Sequence, residues 1–359
     1  MRIGIDARLW NERGVGRYIR NLIKHLQVID KSNEYVLFVR SGDIDSIKYY
    51  VSSIKHKLVK TDIRWHTIEE QLKLPSILNK EKLDLVHFPY FSVPIFYHKP
   101  FVVTIHDLIL HHFPTGEAST LPLPLYKLKL LGYEFVISQA VKKAKKIITV
   151  SNATKKEIID HLGISSGKIA VTYEGIDDAL NSKLQLKIQN YFLYVGNAYP
   201  HKNLERLLET VAMMKDKGLM INVVMVGKED YFYRRLKEKV KKMNLVNNVI
   251  FYGEATDEEL LALYKNAKAL ILPSLMEGFG LPALEAMASG CLVIASDIPA
   301  IREICGEAAI YFNPYNINDI ANKMEAVHPS DKLAKGLRRA KEFSWRKMAE
   351  QTLEVYKKI

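Results

Sequence analysis

The sequence predicts an α/β protein built from two doubly wound, mostly parallel sheets with helices on both faces. Three observations carry this. Short apolar strand patterns alternate with longer helical ones along the whole chain. The alternation stops at a polar stretch, DDALNSKLQLKIQN (177–190), and starts afresh at YFLYVG (191–196). A chain of 359 residues is also too long for one ordinary domain. Residues 1–180 are therefore expected to form one Rossmann-like domain, and residues 190–342 a second. The amphipathic segment 343–359 reads as a single terminal helix and is a candidate to pack back on the first domain.

In chain order, RIGIDA (2–7) opens as an apolar strand, and apolar residues at helical spacing follow over 16–28. YVLFV (35–39), DIRWH (62–66), LDLVHF (83–88), FVVTIH (101–106), KIITVS (146–151) and IAVTY (169–173) read as further strands of the first half. Helical patterns lie around 68–80, 121–145 and 152–162. In the second half YFLYVG (191–196), INVVMVG (221–227), VIFYG (249–253), KALILP (268–273) and LVIAS (292–296) are strands, each followed by a helix pattern. There is no solenoid-length repeat and no low-complexity tract.

Composition narrows the class. Hydrophobic content of 48% and charged content of 26% are ordinary for a globular protein. No apolar run has transmembrane length, and MRIGIDARLW reads as a first strand, not a signal peptide. The two cysteines, Cys291 and Cys305, form no metal-ligand pattern, so neither a disulfide framework nor a zinc site is expected and a reducing cytoplasm fits. The net charge of +12 is spread over both halves. Its densest run, KKAKK (142–146), follows the apolar-rich LPLPLYKLKLLGYEFVISQAV, which suits an anionic membrane surface. For any single lysine, a solvated helix face is the simpler explanation. No nucleic-acid motif accompanies the charge, so no nucleic-acid partner is expected.

The most informative stretch is EGFGLPALE (277–285). A buried strand pattern precedes it, and a helix follows with Pro282 in its first turn and Gly290 just past its end. Glu277 then lies on a loop at the carboxyl end of a strand, where ligands bind in open α/β sheets, and Glu285 about one turn into the helix. First-turn amides near Gly280 and Leu281 would be placed to hold an anion, with Glu285 accepting from neutral hydroxyls such as those of a ribose. A tight turn with solvated glutamates accounts for the same residues. Elsewhere, Gly14 and Gly16 stand before a helix, where glycines let a backbone approach a ligand, although a simple turn needs them too. His106 leaves an apolar strand at its carboxyl end, placed to donate to a sugar hydroxyl or a developing charge, or to serve as a structural histidine. His111 and His112 make a poor metal site, and Asp43 with Asp45 reads as a surface loop. Lys202 stands at a helix start, where the dipole disfavours a cation unless an anion joins it, although taken alone this residue reads more simply as a solvated lysine.

Taken together, EGFGLPALEAMASG (277–290), GNAYPHKNLERLLE (196–209), VTIHDL (103–108) and GVGRYIRNL (14–22) resemble the retaining glycosyltransferase family 4. EEQLKLP (69–75), LDLVHFP (83–89) and FSWRKMAEQTLEVY (343–356) are similar to members that assemble surface polysaccharides. The resemblance covers essentially the whole chain. It implies the two-domain GT-B fold, with the domains facing across a cleft, residues 1–180 binding the acceptor and residues 190–342 the nucleotide-sugar donor that is the substrate. Glu285 would hold the donor ribose and Glu277 the transferred sugar. Gly278 and the amides of Phe279, Gly280, Leu281 and Pro282 would contact the diphosphate or sugar, and Lys202 would neutralise the diphosphate. His106 would touch the sugar, the loop at Gly14 and Gly16 would cover the diphosphate and acceptor, and the backbone near Tyr252 and Gly253 would lie by the base. Many members carry arginine where this chain has Asn197, so Lys202 acts alone or another basic group, such as His201, assists. No metal and no cofactor are implied.

The expected activity is transfer of a hexose, mannose first, from GDP-mannose or a UDP-sugar to a glycan or lipid-linked acceptor. The mannose reading rests on the likeness of GVGRYIRNL and EEQLKLP to mannosyltransferase-like members. The expected place is the cytoplasm, as a peripheral protein of the inner membrane face. Two other readings stand beside it: a GT-B nucleotide-sugar epimerase, and a non-catalytic protein that binds anionic surfaces.

Overall fold

The computed structural model describes all residues except 52–55, 117–118, 120, 177–183, 185–187 and 329–330. Most of the polar stretch read as a boundary, 177–190, lies outside the described residues. The chain folds as two compact units, Met1–Gly175 with Ser344–Ile359, and Ile176–Phe343.

In the first unit the strands are β1 (Arg2–Asp6), β2 (Glu34–Val39), β3 (His56–Lys60), β4 (Leu85–Phe88), β5 (Phe101–Ile105), β6 (Lys146–Thr149) and β7 (Ile169–Val171). They form one parallel sheet in the order β3-β2-β1-β4-β5-β6-β7. The helices are α1 (Gly14–Ile29), α2 (Ile44–Tyr50), α3 (Ile68–Lys80), α4 (Ile109–His112), α5 (Leu123–Lys143) and α6 (Asn152–Leu162). Strand order reverses between β1 and β4, and the right-handed rule for parallel crossovers then places helices on opposite faces of the sheet. Central strands β4 and β5 are buried along their whole length, as a sheet covered on both faces requires. Local signals set the helix ends: Thr67 caps α3 by accepting from the Glu70 amide, Ser151 caps α6, and Gly163 closes α6 at φ 64°.

One strand differs from expectation. DIRWH (62–66) is loop, and the edge strand is HKLVK (56–60), paired with β2. An edge strand with lysines hides its pattern, because only one side of it needs to be apolar and charges protect the free edge. Asp43 and Asp45 also differ: Asp43 is buried at the end of a 3-10 turn and accepts from Asn11 Nδ2, so the pair is no surface loop.

The second unit has β8 (Phe192–Val195), β9 (Val223–Val226), β10 (Val249–Gly253), β11 (Ala269–Leu272), β12 (Val293–Ser296) and β13 (Ala309–Phe312), parallel in the order β10-β9-β8-β11-β12-β13. Its helices are α7 (Leu204–Asp216), α8 (Tyr231–Lys242), α9 (Asp257–Asn266), α10 (Leu281–Ala288), α11 (Pro299–Cys305), α12 (Ile317–Glu325) and α13 (Asp331–Ala340). The order reverses between β8 and β11. The chain then returns to the first unit as α14 (Trp345–Lys357), which packs along α1. There Tyr356 meets His87 Nδ1 at 2.6 Å while His87 Nε2 meets Thr104 at 2.7 Å, tying α14 to β4 and β5.

Candidate active site

In the second unit Asn197, Lys202 and Glu277 gather at the strand-order reversal. The loop after β8 carries Asn197 and Lys202, and the loop after neighbouring β11 carries Glu277. Backbone carbonyls on each side help join the loops: Leu275 N donates to the His201 carbonyl at 2.8 Å, and Asn203 Nδ2 donates to Pro273 O at 3.0 Å. Asn203 itself stands at φ 58°, a left-handed conformation that asparagine tolerates. Glycines allow this crowding. A Cβ on Gly227 would lie 2.2 Å from the Gly196 carbonyl, and one on Gly280 would lie 2.5 Å from Ile301 Cδ1. Gly280 also needs φ 101°, so it turns the chain into α10 at a position no other residue fits well.

Lys202 and Glu277 meet directly. Nζ donates to both carboxylate oxygens, at 2.7 and 2.8 Å, and Ser274 Oγ donates to one of them at 2.7 Å. Both side chains are nearly buried, 16% and 11% exposed. Burial opposes ionisation of Glu277, but the Lys202 charge and the hydrogen bonds from Lys202 and Ser274 outweigh it, holding the carboxyl below its usual range. The ammonium has three donors and spends two on Glu277. His201 offers no second charge here. Burial, with Lys202 adjacent, pushes its pKa down to about 4, so it is neutral near pH 7. Asn197 bonds within its own loop: Tyr194 Oη donates to its carbonyl at 2.6 Å, and its Oδ1 accepts from Tyr199 N at 3.3 Å.

Helix α10 starts at Leu281, with Gly280 at its cap and no acidic residue in its first turn. Its amide end carries the positive pole of the helix dipole. Glu285, one turn on, is partly exposed and accepts from Tyr264 Oη at 2.8 Å. Phe279 is buried against Phe343, so of the EGFGLP residues it anchors the loop by packing. Tyr252 and Gly253 end β10, where Tyr252 Oη donates to Glu259 at 3.0 Å and Gly253 takes φ 88°.

In the first unit His106 sits just past β5. Its Nε2 faces the Pro89 carbonyl at 2.9 Å, its Nδ1 faces Glu174 at 3.5 Å, and its ring stands edge-on to Tyr18 at 5.0 Å. Gly14 and Gly16 lie inside the first turn of α1 and differ. Nothing lies within 4 Å of a Cβ built on Gly14, whereas one on Gly16 would meet the carbonyls of Trp10 and Leu9 at 2.5 and 2.7 Å. Gly16 is therefore required by its own chain. Among the described residues one group could offer three metal ligands, His112, Glu157 and His161, within 4.8 Å of one another. It is a partly exposed surface cluster whose members already bond to each other.

Residues 13–180 match the family model Glycosyltransferase Family 4, and residues 177–342 match Glycosyl transferases group 1. The chain belongs to the family 4 glycosyltransferases. It is an enzyme of the hexosyltransferase class. O-antigen chain mannosyltransferase RfbU of Salmonella typhimurium is 31% identical over 252 residues, 70% of this chain and 66% of that protein. O-antigen chain mannosyltransferase B of Escherichia coli is 27% identical over 373 residues, 96% of each chain. In fold, this glycosyltransferase is similar to Anabaena Alr3699/HepE, solved in complex with UDP-glucose, with a TM-score of 0.76 at 17% identity over 100% of both chains. The fold class is thus GT-B, two parallel sheets of 7 and 6 strands. Among the described residues no helix is long and apolar enough to cross a membrane.

Proposed function

We propose that this enzyme moves a hexose, mannose first, from a nucleotide sugar to a hydroxyl of a glycan or lipid-linked acceptor in surface polysaccharide assembly, with retention at the anomeric carbon. The observation that carries it is the convergence of Lys202, Glu277 and the start of α10 at the sheet reversal of the second unit. A diphosphate there would receive the third Lys202 donor and the α10 dipole, while Glu285 accepts from the ribose hydroxyls and Glu277 from the sugar. Mannose as the transferred sugar is favoured by two mannosyltransferase relatives; GDP-mannose is the first donor proposed and a UDP-sugar the next.

In this reading the acceptor hydroxyl attacks the anomeric carbon on the face from which the diphosphate leaves. The bond from that carbon to the diphosphate oxygen breaks, the new glycosidic bond forms, and the acceptor proton passes to a diphosphate oxygen. Lys202 and the α10 amides stabilise the charge that develops on the leaving group. No metal or further cofactor enters this scheme.

Melting temperatures with GDP, UDP, ADP and NAD, each at saturation, test the donor site. A ligand at about a hundred times its Kd adds roughly 2.7 kcal/mol. A selective rise with GDP or UDP supports the reading; a rise with NAD alone overturns it. Glu285→Ala should abolish that selective rise, and an unchanged rise would remove Glu285 from the ribose.

An anionic membrane face belongs to the same reading. Helix α5 leaves Leu125, Leu128, Leu131 and Phe135 exposed, with Lys127 and Lys129 among them, Lys142 and Lys143 at its end, and Lys145 and Lys146 just beyond it. Binding to phosphatidylglycerol vesicles should fall with salt and with the four terminal lysines changed to glutamate. Binding indifferent to both would refute this surface.

A further inference from the structure

The first unit holds a cavity of about 440 Å³ whose wall includes His66, Tyr90, Phe91, His106, Lys129 and Tyr133. His66 stands there in a costly backbone conformation, φ 60°, where a side chain is disfavoured by roughly 1–2 kcal/mol. Three of the other four left-handed non-glycine residues among those described are asparagines, the residue type that tolerates this region. A loop that only had to turn would be served better by glycine or asparagine.

The chain holds His66 in place with a buried ion network. Its amide donates to Glu70 Oε2 at 2.9 Å, and Ser92 Oγ donates to the same oxygen at 2.6 Å. Glu70 is fully buried and accepts from Arg8 Nη2 at 2.6 Å, while Arg8 also binds Asp6 at 2.6 and 2.8 Å and the Ile63 carbonyl at 3.1 Å. Burying charges to fix one loop is expensive unless the loop has a use. The imidazole is stacked at 23° on Phe91 and Tyr90, with centroids 5.0 and 5.7 Å away, and stays exposed to the cavity. Its dense surroundings, with Lys129 and Arg8 near, push its pKa down to about 4. A neutral imidazole offers one donor and one acceptor, the pairing a sugar hydroxyl offers in return.

We infer that His66 is an acceptor-binding residue: its imidazole hydrogen-bonds a hydroxyl of the acceptor sugar, whose ring packs on the aromatic wall of this cavity. The aliphatic side of the cavity, Leu110 and Leu130, takes an apolar aglycone. This rests on the proposed transfer to a saccharide acceptor, and it assigns the class of ligand as a hexopyranoside with an apolar substituent.

The probe is octyl α-mannopyranoside, followed by saturation-transfer NMR and as an acceptor in transfer assays. His66→Gly relieves the backbone strain, so it should melt no lower than the parent, yet lose the ring. Its KM for the mannoside should rise about tenfold or more, as for loss of one to two hydrogen bonds, with the donor KM unchanged. His66→Asn, a residue suited to the left-handed region, serves as a second variant should the glycine loosen the loop. Saturation transfer to the sugar protons should be strong in the parent and clearly weaker in both variants at the same subsaturating mannoside concentration. A mannoside signal absent from the parent, or equal in parent and variants, overturns the assignment. If the parent binds mannoside through His66 but transfers no hexose from any nucleotide sugar, the site stands and the transferase reading fails. If transfer proceeds with mannoside KM unchanged by both variants, the reading stands and the site falls.

Discussion

Lys202 shows how far a residue's neighbours decide its meaning. At a helix start a lysine is unfavourable alone, and the chain answers with Glu277, which binds it through both oxygens. Removing one member of a nearly buried pair strands the other. Lys202→Ala should therefore lower stability by about 3 kcal/mol or more, read as a loss of denaturation midpoint, besides weakening donor binding. Replacing both residues, as Lys202→Met with Glu277→Gln, should restore most of the stability but not the donor affinity. The pH dependence has a definite sign. The Glu277 pKa is depressed in the fold, so its contribution is present above the unfolded value of about 4.5 and disappears as pH falls through the folded value. Midpoints measured from pH 6 down to pH 3 should converge between the parent and the double variant.

Elements were legible where pattern and chemistry agreed. The strands with continuous apolar runs, such as FVVTI and ALIL, and the helix after EGFGLP lie where the sequence placed them. Those that failed were short or one-sided: HKLVK on an edge, and AIYF at 309–312, an edge strand of four residues with two only half buried. Helix α1 tests the same point by substitution. Gly14→Ala places a methyl in open space and a better helix former in the first turn, so stability should hold or rise by at most about 0.5–1 kcal/mol. Gly16→Ala drives its methyl against two backbone carbonyls and should cost roughly 1–3 kcal/mol. Equal melting temperatures for the two variants would mean that the close approach of α1 to Trp10 is not needed for folding. Spacing alone treats the two glycines alike; only packing separates them.

At the scale of the whole molecule, each unit contains a buried neutral histidine. Burial pushes His87 down to about 3 and His201 to about 4, below the usual value near 6.5. The unfolded chain therefore takes up protons first. Stability is full above about pH 6.5 and falls on acidification, by up to about 1.4 kcal/mol per pH unit for each histidine. The net charge of +12 adds repulsion in the same direction. Urea midpoints at pH 7.5, 6 and 5 should decline, and the decline should be shallower in His87→Gln, although that variant starts less stable for want of its bonds to Thr104 and Tyr356. An equal slope in both would show that His87 takes no part.

By itself the sequence determined the fold class, the two runs of βα units, the family, and the placement of Glu277 and Glu285 around the start of one helix. Those features depend on period, turn chemistry and local spacing, which neighbouring residues set. Tertiary structure alone decided that Lys202 and Glu277 form one charged pair, that His201 is too enclosed to carry a charge, and that Gly16 serves its own chain. It also brought Arg8, Ser92 and the His66–Glu70 stretch together from three separate segments. Contacts between residues far apart in sequence are set by strand order and burial, and these leave no periodic trace in the chain.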